Sequence, residues 1–264
     1  MKNRLLALLT LATAALTPLA AQAQLKLNAG DHIAILGGTT PDRMQHSGWL
    51  DTLIHAANPD KDIVMRNLAF SGDEVGTWHR VDDFGTRDEW LTKVGADVIL
   101  AFYGFNESFK GPAGLADFKT KLDQFCKDMA KANFHAKGAP KLVLISPIAA
   151  EKQDNPNIAD ADPINANLTL YVAAMAEVAK ANNVPFVDLF ALSKQAYAEA
   201  KTPLTFNGIH LTAAGDKELA PGLFKGIFGD SAPNLESLEK LHTAVIARND
   251  LWQSRYRTVD GNNI

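Results

Sequence analysis

The sequence predicts an α/β protein: a flavodoxin-like, doubly wound and mostly parallel five-stranded sheet with helices on both faces. Three observations lead there. From Asp31 onward strand-like and helix-like segments alternate, the pattern of parallel strands joined by right-handed helical crossovers. Val98–Tyr103 is a continuous apolar run, as a strand buried on both faces requires. The strand-like segments number five, enough for one doubly wound sheet.

Taken in order, Ile33–Leu36 reads as the first strand and Arg43–Ala57 as a helix, with Leu50, Leu53, Ile54 and Ala57 at helical spacing. Ile63–Leu68 returns to strand. Asp88–Val94 reads as a short helix with an acidic start. Leu115–Phe134 places Leu115, Phe118, Leu122, Phe125 and Met129 on one helical face. Leu142–Ile145 is a fourth strand, closed by Ser146-Pro147. Asp162-Pro163 opens a helix running to about Asn182, with the aspartate as cap and proline at the first helical position. Val184–Leu189 is the fifth strand, Phe190–Ala200 a helix, and Thr212–Phe228 a helix capped by Thr212. Gly104, Gly111, Pro112 and Gly114 mark residues 103–114 as a loop.

The chain divides into three parts. Residues 1–23 read as a signal peptide: Lys2 and Arg4, an apolar run from Leu5 to Leu19, and Ala21-Gln22-Ala23 as a small-x-small cleavage site before Gln24. The run is too short and too interrupted to be a membrane span. Residues 24–229 hold the α/β domain. Residues 230–264 begin with Asp230-Ser231-Ala232-Pro233, followed by an amphipathic helix over Leu235–Trp252 and an aromatic, basic tail, Arg255-Tyr256-Arg257. That tail is expected to pack on the domain or to touch a ligand. The implied location is the periplasm or the exterior.

The full chain carries 26 basic and 30 acidic residues, net −4, and loses two basic residues with the leader. That balance argues against nucleic acid as a partner. The lone cysteine, Cys126, forms no intrachain disulfide and reads as a buried apolar residue of a helix. The seven histidines show no metal-ligand spacing and no phosphate-cradling Gly-Lys-Ser/Thr loop is present, so neither metal nor cofactor is expected.

Ligands of such sheets bind at the carboxyl ends of the strands, and the loops there carry the polar candidates. The first holds Gly37-Gly38-Thr39-Thr40, where Thr39 is either a nucleophile or a turn residue. The second holds Phe70-Ser71-Gly72-Asp73, with Ser71 as an alternative nucleophile. The third holds Gly104-Phe105-Asn106-Glu107, where Asn106 is either a loop cap or a hydrogen-bond donor to a ligand. The last holds Asn207-Gly208-Ile209-His210-Leu211. Arg43 and His46 start the first helix and either solvate it or contact substrate.

The order and wording of these blocks resemble the SGNH (GDSL-like) hydrolases over residues 31–228. That family has Gly-Asp-Ser after its first strand, a glycine in a second block, Gly-x-Asn-Asp in a third and Asp-x-x-His near the end. The Arg43-Met44-Gln45-His46 stretch and the Arg255-Tyr256-Arg257 tail look like those of a subfamily of exported bacterial proteins. The resemblance implies a nucleophile at Thr39, a base at His210, an orienting residue at Asn207, and an oxyanion hole from the Thr39 N–H, the Gly72 N–H and the Asn106 amide. It also implies hydrolysis of a small acyl ester, acetyl-type, on a small molecule or carbohydrate.

Two departures matter. Thr39 stands where the family has serine, and the extra methyl stiffens χ1. Asn207 stands where it has aspartate, so the imidazolium loses its counter-charge; a comparable change in a serine protease costs about 10⁴ in turnover. Three readings follow: Thr39 attacks with Asn207 orienting His210; Thr39 attacks with another group, such as a backbone carbonyl or Asp73, orienting it; or the site binds a glycan or protein partner without turnover.

Overall fold

The computed structural model describes residues 24–80 and 82–257; the expected signal peptide lies outside them. In chain order the elements are β1 (His32–Gly37), α1 (Thr39–Ser47), α2 (Trp49–Ala57), β2 (Val64–Asn67), α3 (Arg87–Val94), β3 (Val98–Phe102), α4 (Phe105–Ser108), α5 (Leu115–Met129), β4 (Lys141–Ile145), α6 (Ala161–Ala181), β5 (Phe186–Val187), α7 (Leu189–Glu199), α8 (Ala213–Phe228) and α9 (Glu239–Arg257). The five strands form one parallel sheet of order β2-β1-β3-β4-β5. This is the doubly wound order whose reversal falls between β1 and β3.

Successive strand residues point to opposite faces, and the core splits accordingly. Ala34, Leu36, Ile99, Ala101, Leu142 and Leu144 pack with Phe118, Leu122 and Phe125 of α5 and Tyr171 and Met175 of α6. Ile33, Ile35, Val98, Leu100, Val143 and Ile145 pack with Leu50, Leu53 and Ile54 of α2 and Leu219, Leu223 and Phe224 of α8. Cys126 is buried on the α5 side, and burial pushes its thiol up to about 12, so it stays a protonated core residue.

Several boundaries differ from expectation for local reasons. The expected helix over 43–57 is two, α1 and α2, broken where Gly48 takes a left-handed conformation (φ 62°). A four-residue helix, α4, sits inside the expected 103–114 loop; Glu107 closes it by accepting the Gly104 N–H at 2.9 Å. The cap of α6 is Asp160, which accepts from the Asp162 N–H, so Asp162 lies within the first turn. Thr212 caps α8 through the Gly215 N–H at 3.0 Å, as expected. At the end of the chain, Leu235–Ser237 is a separate 3₁₀ turn and α9 begins only at Glu239.

Helix α9 lies against α1 and α2. Its Val245, Asn249 and Tyr256 are buried, and Tyr256 joins Phe84 and Trp90 in the core on the α5 side. Among the described residues no helix is long and apolar enough to cross a membrane.

Candidate active site

The β1 strand ends against β3, with Gly37 paired to Phe102. A Cβ on Gly37 (φ 135°) would lie 2.1 Å from the Phe102 carbonyl oxygen, so this turn admits glycine alone. Gly38 then caps α1 without a side chain, and Thr39 is the first residue of the helix. The first main-chain N–H groups of a helix have no partner inside it. Here Asp42 N–H bonds back to the Gly38 carbonyl and Pro41 has no N–H, which leaves the Thr39 and Thr40 N–H groups at the positive end of α1.

Asn106 meets this turn from the next loop. A Cβ on Gly38 would stand 3.1 Å from Asn106 Nδ2 and 3.3 Å from the Asp73 carbonyl oxygen. Gly38 therefore makes the room in which the Asn106 amide sits. That amide donates to the Asp73 carbonyl at 3.2 Å. One of its two N–H bonds is thereby fixed by the Gly72–Asp73 turn, and the group is held against Gly38. Gly72 has φ 99°.

The turn at Gly72 is tied down from two sides. The Asp42 carboxylate on α1 accepts both the N–H (3.0 Å) and the hydroxyl (2.7 Å) of Ser71; the Ser71 hydroxyl is thus directed at Asp42. Asp73 forms a two-pronged ion pair with Arg80 at 2.9 and 3.1 Å, both side chains 2% exposed. Burial pushes the Asp73 carboxyl up, against the pull of Arg80 and the His79 N–H. Asp73 was one expected orienter of His210; its carboxylate is instead taken by Arg80, and that reading is corrected. Glu107, in place of the family's aspartate, is a structural acid: it accepts from the Val75 N–H and the Gly104 N–H, both at 2.9 Å, and burial raises it.

His210 comes from the last loop, half-buried. Asn207 Oδ1 accepts the main-chain N–H of His210 at 3.0 Å and of Ile209 at 3.3 Å. Those two donors fix which end of the amide is oxygen, since the NH₂ end would face donors. His210 Nδ1 then lies 2.9 Å from Asn207 Nδ2 and 3.1 Å from Oδ1. The first contact requires the proton on Nε2; the second requires it on Nδ1 and leaves Nε2 free as a base. Burial first, and the Arg43 charge second, hold the imidazole below its ordinary 6.5, so it is chiefly neutral near pH 7.

The loop carrying His210 hangs on a residue that sequence reasoning missed. Glu151, buried after β4, accepts the N–H groups of Leu204 (2.9 Å) and Thr205 (2.7 Å) and the Thr205 hydroxyl. Its own N–H donates to the Gly208 carbonyl at 2.7 Å. The available signal was an acid directly after the apolar Ile148-Ala149-Ala150.

A pocket of about 150 Å³ opens beside His210, lined in part by Thr40, Arg43, His46, Ser47 and Asp216. It brings the two expected substrate-contact residues to the base. Arg43 lies over the exposed ring of Phe206 (4.9 Å to the centroid), which stacks on His210 at 5.5 Å. His46 is exposed, with Gln253 of α9 3.2 Å away. Asp216, at the pocket's base, accepts from the Ser47 hydroxyl at 2.5 Å, and burial pushes its carboxyl up to about 6. Among the described residues no group of three or more potential metal ligands occurs.

A five-stranded parallel sheet with a glycine turn, an amide donor and an Asx-x-x-His loop at its carboxyl edge defines an SGNH-type α/β hydrolase. The chain belongs to the GDSL-like lipase/acylhydrolase family, whose model matches residues 29–217; its class is that of an ester-hydrolysing enzyme. Solved structures share the fold. LAE5, an α/β hydrolase from the metagenome of Lake Arreo, is 18% identical, with TM-score 0.59 over 76% of this chain and 96% of that one. Axe2, an acetylxylan esterase from Geobacillus stearothermophilus, is 17% identical, with TM-score 0.59 over 77% of this chain and 96% of that one. A comparison with curated proteins returned no match.

Proposed function

We propose that this protein is an exported ester hydrolase that removes a small, acetyl-type acyl group, with a carbohydrate as the alcohol. Thr39 is the nucleophile, His210 the base and Asn207 its orienter. The Thr39 Oγ1 attacks the acyl carbon while His210 Nε2 takes its proton. The resulting oxyanion is met by the Thr39 N–H, the Gly72 N–H and the Asn106 amide. Collapse expels the alcohol, which takes the proton back from His210, and water then releases the acyl group from Thr39 by the same route. Arg43 and His46 contact the substrate in the pocket beside the base.

The observation that supports this reading is the approach of the Asn106 amide to the Gly38 turn, together with His210, three residues after Asn207, in a pocket it shares with Thr40. The acetyl-on-carbohydrate part draws on the fold shared with an acetylxylan esterase. Export to the periplasm or exterior draws on the basic start, apolar run and Ala21-Gln22-Ala23 site. Asn207 presents both its NH₂ (2.9 Å) and its oxygen (3.1 Å) to His210 Nδ1, so it meets either tautomer and does not select the one that acts as base, which predicts slow turnover and is also what a ligand-binding site without turnover would show.

The test is 4-nitrophenyl acetate hydrolysis, with mass spectrometry of the quenched enzyme. Thr39→Ala and His210→Ala should each lose at least about 100-fold in kcat, the lower end for a general base, and an acetyl group should appear on the Thr39 peptide of the wild type. Activity retained by both variants, or acetylation elsewhere, refutes the assignment.

A further inference from the structure

Helix α9 lies beyond the family match, yet it grips both segments that carry the site. Toward α1, Asn249 Nδ2 donates to the Gln45 carbonyl at 3.0 Å and His242 Nε2 donates to the Ser47 carbonyl at 2.6 Å. These are last-turn carbonyls with no partner inside the helix. Toward β2, Trp252 Nε1 donates to the Asn67 carbonyl at 2.7 Å and the Tyr256 hydroxyl to the Leu68 carbonyl at 3.0 Å. The Tyr256 oxygen also accepts from Arg80 Nη2 at 3.1 Å.

Arg80 is the junction. Its guanidinium is enclosed by Trp78, Phe70, Phe84 and Tyr256, with ring centroids 3.9, 4.2, 5.5 and 6.0 Å from Cζ. It grips the Asp73 carboxylate, and its buried Nε has no hydrogen-bond partner among the described residues. A buried ion pair gains little over apolar packing of the same volume, and an unmet donor adds to the cost. What the pair does supply is geometry. The main-chain carbonyl of Asp73 is the acceptor that orients the Asn106 amide.

We propose that Arg80 and Tyr256 are positioning residues for the oxyanion hole: the Tyr256–Arg80–Asp73 chain sets the Gly72 turn and, through the Asp73 carbonyl, aims Asn106. The proposal rests on the reading of Gly72 and Asn106 as oxyanion donors. Such a defect slows the chemical step and leaves ground-state binding alone.

Two variants test it. Tyr256→Phe removes only the hydroxyl; Arg80→Lys keeps the cation and loses the fork. With 4-nitrophenyl acetate, kcat should fall about tenfold in Tyr256→Phe and about 100-fold in Arg80→Lys, the loss typical of a misplaced group, with KM within about twofold. In ¹⁵N-edited NMR spectra the Asn106 side-chain amide pair, assigned through Asn106→Ala, should shift in both. Unchanged kcat and an unmoved Asn106 resonance, with only the unfolding midpoint lowered, would make the chain a structural brace and overturn the proposal. If the wild type hydrolyses no ester, that refutes the esterase reading, and the Asn106 resonance still decides the coupling: a shift in Tyr256→Phe supports it and none overturns it.

Discussion

The two sides of the site are held by different chemistry. On the side of the proposed oxyanion hole, the Asn106 amide bonds the main chain of Asp73, whose carboxylate pairs with Arg80 inside aromatic rings. On the proposed base side, His210 meets a neutral amide, and the buried carboxylate of the same loop system, Glu151, is spent on the loop's main chain. Charge is thus invested in placing the donors and withheld from the base. In the proposed mechanism this arrangement favours stabilising the oxyanion over generating the nucleophile, and Asn207 is where the mechanism can be strengthened.

The largest effect should come from restoring the missing charge. Asn207→Asp replaces the NH₂ that faces His210 Nδ1 with an acceptor, which fixes the Nδ1–H tautomer and frees Nε2. The reverse change costs about 10⁴ in a serine protease, so kcat for 4-nitrophenyl acetate should rise by about 100-fold or more. The variant's acid limb should also move to higher pH, because a carboxylate beside the imidazole favours its charged form.

The next effect tests the loop rather than the base. In Glu151→Gln one of the Leu204 and Thr205 N–H groups loses its acceptor and meets an NH₂ instead. Denaturant unfolding should show a loss of about 1–3 kcal/mol, the cost of an unmet buried donor. If stability is unchanged, the loop is held by something other than Glu151.

The smallest effect concerns Arg43. In the proposed mechanism the base works when neutral, so activity should be lost as pH falls through the His210 pKa, which lies below 6.5 because of burial and, second, Arg43. Arg43→Ala removes the second cause and should shift the acid limb of kcat/KM upward, visible in a pH series of rates. An unmoved limb would separate Arg43 from the base.

Most of the frame was legible in the sequence because it depends on local signals. Val98–Tyr103 reads as a buried strand, and Gly37-Gly38 as the turn that follows one. Thr39, Gly72, Asn106 and His210 form a candidate site once four short blocks are read in order at successive strand ends. The supports were not legible, for a physical reason: a charged residue in sequence looks the same whether it is solvated or buried. Glu151 meets Thr205 across 54 positions, and Arg80 meets Tyr256 across 176. Asp73 looked available to His210 because nothing local announced that Arg80 would fold back over Trp78 to take it. The two-helix break at Gly48 was missed because the apolar spacing continues through it.

The central claim is that His210, limited by Asn207, activates Thr39. It is tested most directly by kcat/KM for 4-nitrophenyl acetate in Asn207→Asp with and without the Thr39 hydroxyl. The account predicts a gain of about 100-fold over wild type that disappears in Asn207→Asp/Thr39→Ala. A double variant as fast as Asn207→Asp alone would contradict it.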